Sequence, residues 1–342
     1  MISPISNIGL ILMSAAVLLS SCSKDGSGGK SVSDGERMTV VFDAGIQTTK
    51  AEVSAYEDNV ETLDLLVFRA EGGKIDAYSR VSGTRRISAS VTAGRAMHWY
   101  VVANAPASSL SGFSDEETFL SSVTTLSDGT GTTLVMHASG TMTVTPSLGT
   151  ISVSLRRYAS KVSLRSVEVT YLDSFSTAPS VSIGTVALIN AVGSVPWSGT
   201  ATAGDLWYNR LTVDQTLGAA LKDLLVVDSG FPAVTSSAAV NCNAVMYAMP
   251  NPLASGVDSS TAPSWSPRCT RIAVEMIIDG TPNWYHVTIP SMSGNVHYVV
   301  DRLTINGPGA PSPDLPAERQ GIEFEIRIAE WSESTTDVSF EY

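Results

Sequence analysis

The chain has 342 residues, of which 43% are hydrophobic and 16% charged, and its formal net charge is −12. This length suits about two domains, and the apolar content is sufficient for buried cores, which argues against a disordered chain. The negative charge makes nucleic acid a poor partner, because phosphate binding needs clustered Lys and Arg. Short alternating runs rich in Ser, Thr and Val, broken by turn residues, indicate an all-β protein.

The N-terminus has the features of a bacterial lipoprotein signal. Residues 8–19 form an apolar run that is too short to span a bilayer, which needs about 20 residues, and that suits the core of a signal peptide. LSSC at residues 19–22 follows it and resembles a lipobox, in which the chain is cut before the cysteine and the thiol is acylated. The alternative is an ordinary secretion signal with an incidental cysteine. We predict a signal peptide over residues 1–21, a lipid on Cys22 that anchors the precursor, and a flexible Gly/Ser-rich tether over residues 22–36.

The first folded domain is predicted over residues 37–148. Residues 37–47 (RMTVVFDAGIQ) read as a first strand with Met38, Val40 and Phe42 on one face. Acidic residues within 113–126 suit the start of one short helix. The other strands predicted here cover residues 60–69, 74–81, 86–91 and 98–103, the last of which is the continuous apolar run typical of a central strand.

A second domain is predicted over residues 149–342, where a new set of alternating apolar residues begins. Alternation of period 2 is strongest at Ile322–Ile328, and it returns at the C-terminus, where Val338, Phe340 and Tyr342 share one face. The strands predicted here lie within residues 149–171, 247–251, 271–279, 283–289, 297–305 and 322–329.

The sequence predicts neither catalysis nor a bound cofactor or metal. No histidine has a His partner two or four residues away, and no Walker loop, GxSxG or HExxH motif occurs. Cys242 and Cys269 lack metal-ligand spacing, and they either form a disulfide, as exported proteins can, or are two separate buried thiols. Scattered tryptophans in β-sandwiches more often pack in cores than line sugar sites. The tryptophans considered for such a site are Trp197, Trp207, Trp265 and Trp284.

Six segments in order resemble the fimbrillin family, the pilus subunits of Bacteroidales-type bacteria. They are the lipobox, TVVFDAG followed by LDLLVF, WYVVANAP, LRRYASKVSL, DRLTINGPG and IRIAEW. The resemblance implies two transthyretin-like Greek-key β-sandwich domains in tandem and a structural role in a pilus built of several subunits. It also implies that a trypsin-like protease cuts in the loop after the first strand, and the matching position here is Lys50, before Ala51.

Assembly by strand exchange, which the resemblance implies, also has a physical basis in the sequence. Loss of residues 38–47 would expose an apolar groove with unpaired backbone groups, which is a template for an added strand. Val338, Phe340 and Tyr342 offer the alternating apolar side chains of a donor strand, although they also suit a plain last strand of their own domain. A donor contact is head-to-tail and therefore propagates a filament.

Two alternatives remain open at this stage. An Arg-specific protease would cut at Arg37 instead of Lys50, and that cut would remove only the tether. The competing function is a non-polymerising surface lipoprotein, at a pilus tip or as an anchor, that binds a glycan or a host protein and keeps its lipid. Both functions begin with an outer-membrane lipoprotein precursor. The pilus function adds an extracellular fimbrium that aids cell adhesion.

Overall fold

The computed structural model describes residues 35–46, 57–130, 132–174, 179–201, 204–210, 216–253, 265–289, 291–313 and 322–331. The elements in the first half are β1 (Arg37–Ile46), β2 (Thr62–Arg69), β3 (Ile75–Ser82), β4 (Arg86–Thr92), β5 (Ala96–Ala103), α1 (Glu116–Ser121), β6 (Val123–Thr125), a 3₁₀ turn (Leu126–Asp128), β7 (Met136–Thr143), β8 (Ile151–Arg157), β9 (Ser160–Val169) and a second 3₁₀ turn (Thr170–Ser174). The remaining elements are β10 (Val181–Ile189), β11 (Ala191–Val192), β12 (Ser194–Pro196), β13 (Trp207–Tyr208), α2 (Lys222–Leu225), β14 (Val226–Val227), β15 (Val240–Ala248), β16 (Arg271–Ile278), β17 (Thr281–Thr288), β18 (Val296–Ile305) and β19 (Ile322–Glu330). Neither helix in these ranges has the length and apolar character needed to cross a membrane.

Seven strands of the first half form a sandwich, which we call the first sandwich. They make one sheet in the order β3-β2-β5-β7-β8-β1-β4. The sheet bends between β7 and β8, which pair only at Met136–Arg157 and His137–Arg156. The inward side chains of β1, β4 and β8 therefore pack against those of β2 and β5 and form one buried cluster. The predicted all-β sandwich class is confirmed.

The first strand shows how the sequence pattern creates this core. The side chains of Val40, Phe42 and Ala44 are buried and those of Thr39 and Asp43 are exposed, so β1 has the period of 2 that a half-buried strand requires. It lies between two neighbours, antiparallel to β4 and parallel to β8. The first strand of the chain is thus an interior strand of the sheet.

Two four-stranded sheets form the second sandwich, in the orders β15-β9-β18-β19 and β14-β10-β16-β17. Leu164 and Val300 of the first sheet belong to the same buried cluster as Leu188, Val274 and Tyr285 of the second. The parallel pairing of β9 with β18 places an early strand beside a late one, as β1 and β8 do in the first sandwich.

The passage from one sandwich to the other differs from the predicted boundary at residues 148–149. Strand β8 pairs with β1 and β7, so the chain leaves the first sandwich only between Arg157 and Ser160. The alternation of β8 and β9 is similar, and the pattern therefore does not reveal that the two strands lie in different sheets. The two sandwiches also share buried contacts, because Phe119 of α1 packs between Phe68 of β2 and Trp197.

Candidate functional site: the first strand and the sandwich junction

The structure describes only part of the residues predicted to be functional. Met38, Val40 and Phe42 lie on one face of β1, as predicted, with Met38 half-buried and the other two buried. Cys242 and Cys269 also lie within the described ranges. The other predicted site residues lie outside them, as do the signal peptide and most of the tether; they are Cys22, Lys50, Ala51, Val338, Phe340 and Tyr342. The cleavage position predicted at Lys50 follows the end of β1 at Ile46 and precedes the next described residue, Glu57.

Phe42 is the largest side chain that β1 contributes to the core. Its ring meets the indole of Trp99 edge-on, with 5.3 Å between ring centroids and an interplanar angle of 61°. The indole lies so close to Gly140 of β7 that a Cβ atom there would be 2.5 Å from its Cζ2 atom. The glycine therefore leaves room for Trp99, and Trp99 forms one wall of the site that Phe42 fills.

The beginning of β1 is held by a polar cluster around Asp76 of β3. This side chain is fully buried, and it accepts hydrogen bonds from the backbone N and Oγ1 of Thr92 at 2.8 Å each and from Nε of Arg69 at 3.0 Å. Arg37, the first residue of β1, donates from Nη1 to the Asp76 carboxylate at 3.1 Å. Burial alone would raise the pKa of Asp76, but the donors from Thr92, Arg69 and Arg37 outweigh it and hold the pKa below its ordinary value.

Glu57 forms the centre of a second polar cluster, at the junction of the two sandwiches. Its carboxylate accepts from the hydroxyl of Tyr247 at 2.6 Å and from the indole N–H of Trp331 at 3.1 Å, and it pairs with Nζ of Lys161 at 2.8 Å. Its backbone carbonyl accepts from Nε and Nη2 of Arg157 at 3.3 Å. The cluster joins the segment before β2 to β8, β9, β15 and the end of β19.

Burial sets the electrostatics of this junction cluster. Glu57, Arg157 and Lys161 are each at most 5% exposed, so their charges rely on one another for stabilisation. Burial lowers the pKa of Arg157, and the neighbouring Asp58 and Glu57 charges counteract it. Burial also raises the pKa of Tyr247, which stays neutral and donates its hydrogen bond. The guanidinium of Arg157 lies 4.4 Å from the ring centroid of Trp331, which adds a cation–π contact.

The charged residues of this cluster give no local sign of it in the sequence. Its members come from distant parts of the chain, and a single lysine in an alternating strand, such as Lys161, ordinarily indicates a solvated position. One usable signal is the IRIAEW segment, because a tryptophan directly after a strand is an amphipathic side chain that requires a hydrogen-bond acceptor when buried.

The side chains considered for other chemistry are mostly buried. Cys242 and Cys269 are two separate free thiols, the second of the two alternatives, and burial raises the pKa of the Cys242 thiol to about 11. No group of three metal-ligating residues occurs in the described part of the chain. Three of the four tryptophans considered for a sugar site are buried, and Trp265 packs edge-on against one of them, so they do not form a flat exposed platform. The buried three are Trp197, Trp207 and Trp284.

The first sandwich is similar in sequence to a known protein family. Residues 37–165, which cover β1 to β8 and the start of β9, match the family model for the major fimbrial subunit protein (FimA). This stretch of the chain is therefore similar in sequence to the fimbrillins. The resemblance to fimbrillins is thereby confirmed, and β1 is the first strand of the fimbrillin segment.

Solved structures extend the fimbrillin likeness to both sandwiches at the level of fold. A fimbrilin from Porphyromonas gingivalis is 15% identical with a TM-score of 0.60, over 86% of this chain and 97% of that chain. A candidate cell adhesion protein from Bacteroides eggerthii is 20% identical with a TM-score of 0.62, over 87% and 97%. The tip fimbrial protein Mfa3 from Porphyromonas gingivalis is 15% identical with a TM-score of 0.54, over 86% and 100%. A comparison with curated proteins gives no significant match.

Proposed function

We propose that the chain is a structural subunit of a cell-surface fimbrium, exported as a lipoprotein, trimmed after Lys50 and joined to its neighbours by strand exchange. The position of β1 carries this proposal. It is the first strand in the described part of the chain, it lies between β4 and β8 in the sheet, and its inward side chains are part of the core. A cut after Lys50 would separate this strand from the rest of the fold.

Removal of β1 would leave a groove that only another strand can fill well. The facing backbone groups of β4 and β8 would lose their partners, and an unpaired edge of this kind accepts an added strand. Each apolar side chain that fills a site such as that of Phe42 contributes roughly 1.5–3 kcal/mol. A donor with several alternating apolar residues therefore gains enough free energy to bind stably.

The surroundings of Arg37 support Lys50 as the cleavage site. A trypsin-like protease must bind the basic side chain and the extended backbone around it. In the folded chain the backbone of Arg37 pairs with Thr92 of β4, and its guanidinium donates to Asp76 and Thr92. Cleavage after Arg37 would require the start of β1 to detach first, and a cut there would also leave the rest of the strand in the groove.

The proposed donor is the C-terminal segment with Val338, Phe340 and Tyr342. It follows Trp331, which is held at the sandwich junction by its hydrogen bond to Glu57. The segment after Trp331 has eleven residues, from 332 to 342, and an extended chain of that length reaches about 36 Å. That reach is sufficient to fill a groove as long as β1 in a neighbouring subunit.

Trimming in vitro tests the proposal. The chain from Ser23 to Tyr342 is treated with a trypsin-like protease, and the product is sequenced from its N-terminus and followed by gel filtration and electron microscopy. We expect a new N-terminus at Ala51 and the growth of filaments. Lys50→Gln should abolish both, whereas Lys74→Gln, which alters an exposed lysine in the turn before β3, should abolish neither. Filaments from Lys50→Gln, or a trimmed wild-type protein that stays monomeric, would contradict the proposal.

A non-polymerising adhesin at a fimbrial tip or base is the second candidate. The fold similarity to the tip protein Mfa3 favours it. A tip subunit accepts a donor strand but donates none, so deletion of residues 332–342 would leave its incorporation unchanged. The same deletion in a stalk subunit would stop growth beyond it, and an anchor would keep the lipid on Cys22.

A further inference from the structure

We propose that Arg37 and Asp76 form a clasp that retains β1 on the subunit after the chain is cut, and that opening of this clasp limits the release of the strand. The inference rests on the proposed trimming after Lys50. It goes beyond that function because it names the residues that control when the first strand is lost.

Only the middle of β1 is paired with a neighbouring strand on both sides. Residues Arg37–Asp43 pair with β4, whereas only Phe42–Ile46 pair with β8. The first five residues therefore have a strand on the β4 side only, and the last three have one on the β8 side only. A half-paired strand end frays readily unless side chains secure it.

The clasp secures the end of β1 that pairs only with β4. The guanidinium of Arg37 donates from Nη1 to the Asp76 carboxylate at 3.1 Å and to Oγ1 of Thr92 at 3.3 Å. Its Nη2 donates to the backbone oxygen of Asp76 at 3.2 Å and to the backbone oxygen of Ser90. These contacts connect β1 to β3 and β4 simultaneously. Because Thr92 and Arg69 hold the carboxylate in place independently of β1, Asp76 is a fixed acceptor to which Arg37 docks.

The position of the clasp sets the order of release. A cut after Lys50 frees the Ile46 end of the strand, so fraying begins beside β8. The Arg37 end remains covalently joined to the tether and is held by the clasp until last. An incoming strand can therefore pair with β8 while the start of β1 still covers β4. The subunit then never exposes the whole unpaired groove, which would be a site for unspecific aggregation.

The rate of strand release tests the clasp without requiring filaments. The recognition sequence of a site-specific protease is inserted between Lys50 and Ala51 in the chain from Ser23 to Tyr342. After the cut, the departure of the fragment that contains β1 is followed by gel filtration and mass spectrometry. The same series of urea concentrations below the unfolding transition is used for every variant, so that each release rate is measurable.

Arg37→Ala should release the fragment about tenfold faster than wild type, because the charge-assisted hydrogen bonds to a buried acceptor are lost. Asp76→Asn should act in the same direction, and Arg37→Lys should be intermediate. The matched control is Arg69→Ala, since Arg69 binds the same carboxylate with a similarly exposed side chain but belongs to β2, which stays in place. Its release rate should remain within about twofold of wild type.

Two outcomes would overturn the clasp. One is release from Arg37→Ala at the wild-type rate, and the other is equal acceleration by Arg37→Ala and Arg69→Ala, which would indicate a general loss of stability. Failure of the proposed function has a different signature. In that case the release rates of the variants rank as predicted, but subunits that have lost β1 never bind a strand from another copy.

Discussion

The junction cluster around Glu57 leads to the most quantitative prediction. Glu57→Gln keeps the shape of the side chain but removes its charge, and Lys161 then loses the carboxylate 2.8 Å from its Nζ. Both residues are at most 5% exposed. Breaking a buried ion pair by removal of one partner costs about 3–5 kcal/mol, because the remaining buried charge loses its counter-charge. The amide nitrogen also places a donor against either Tyr247 or Trp331, which donate to different oxygens of the carboxylate.

Thermal and urea unfolding followed by circular dichroism measure this cost. A loss of that size should lower Tm by roughly 4–8 °C in a chain of this length. The matched control is Arg302→Gln, which breaks the exposed pair with Glu168 at 3.1 Å and should cost less than about 1 kcal/mol.

A double-mutant cycle separates the pair from general damage to the core. Glu57→Gln combined with Lys161→Met removes both charges, so the double variant should be more stable than the sum of the two single losses by at least about 1 kcal/mol. The reasoning is refuted if Glu57→Gln unfolds within about 1 kcal/mol of wild type, or if the two single losses simply add.

Three further predictions concern the first sandwich and one buried histidine. Phe42→Ala should lower the free energy of unfolding by about 3–5 kcal/mol and shift tryptophan emission to the red, because the ring packs on Trp99; a urea titration with wild-type stability would show that β1 does not contribute to the core. Gly140→Ala should cost about 1–3 kcal/mol in the same titration, since its Cβ would clash with Trp99, and an unchanged midpoint would contradict that contact. Burial, with nearby positive charges, lowers the pKa of His297 from 6.5 to about 3, so below pH 6.5 the unfolded chain takes up a proton that the folded chain refuses. His297 should therefore contribute a slope of up to about 1.4 kcal/mol per pH unit to the loss of stability as the pH decreases from 6.5 towards 3. His297→Gln should remove this contribution between pH 6.5 and 5, where few carboxylates titrate, and leave that of His137, whose pKa burial lowers to about 4; an unchanged slope in the variant would exclude His297 as a cause.

The strands with strong alternation were predictable from sequence, and those shaped by tertiary contacts were not. In β1 the alternation of Val40 and Phe42 with polar residues indicates both the strand and its buried face. In β7 (MHASGTMT) the pattern is interrupted by Gly140, and no strand was predicted there. The reason is three-dimensional, because the glycine accommodates the indole of Trp99 from a neighbouring strand.

The clusters that hold the strands in place show the same limit. Arg37 and Asp76 are ordinary strand residues in sequence, and only the closure of the sheet brings β1 and β3 together. Similarly, Lys161 is buried because Glu57 and Trp331 cover it, and neither is near it in sequence. The predicted boundary after residue 148 missed β8 for a related reason, since the partner of a strand is determined by sheet pairing and not by its own alternation.

The N-terminal sequence of this protein, taken from filaments sheared off the cell surface, tests the central claim most directly. A start at Ala51 is the expected result, and it would mean that the lipid and the first strand are lost before the subunit joins a filament. A chain blocked at a lipidated Cys22, or one that begins before β1, would contradict assembly by exchange of the first strand.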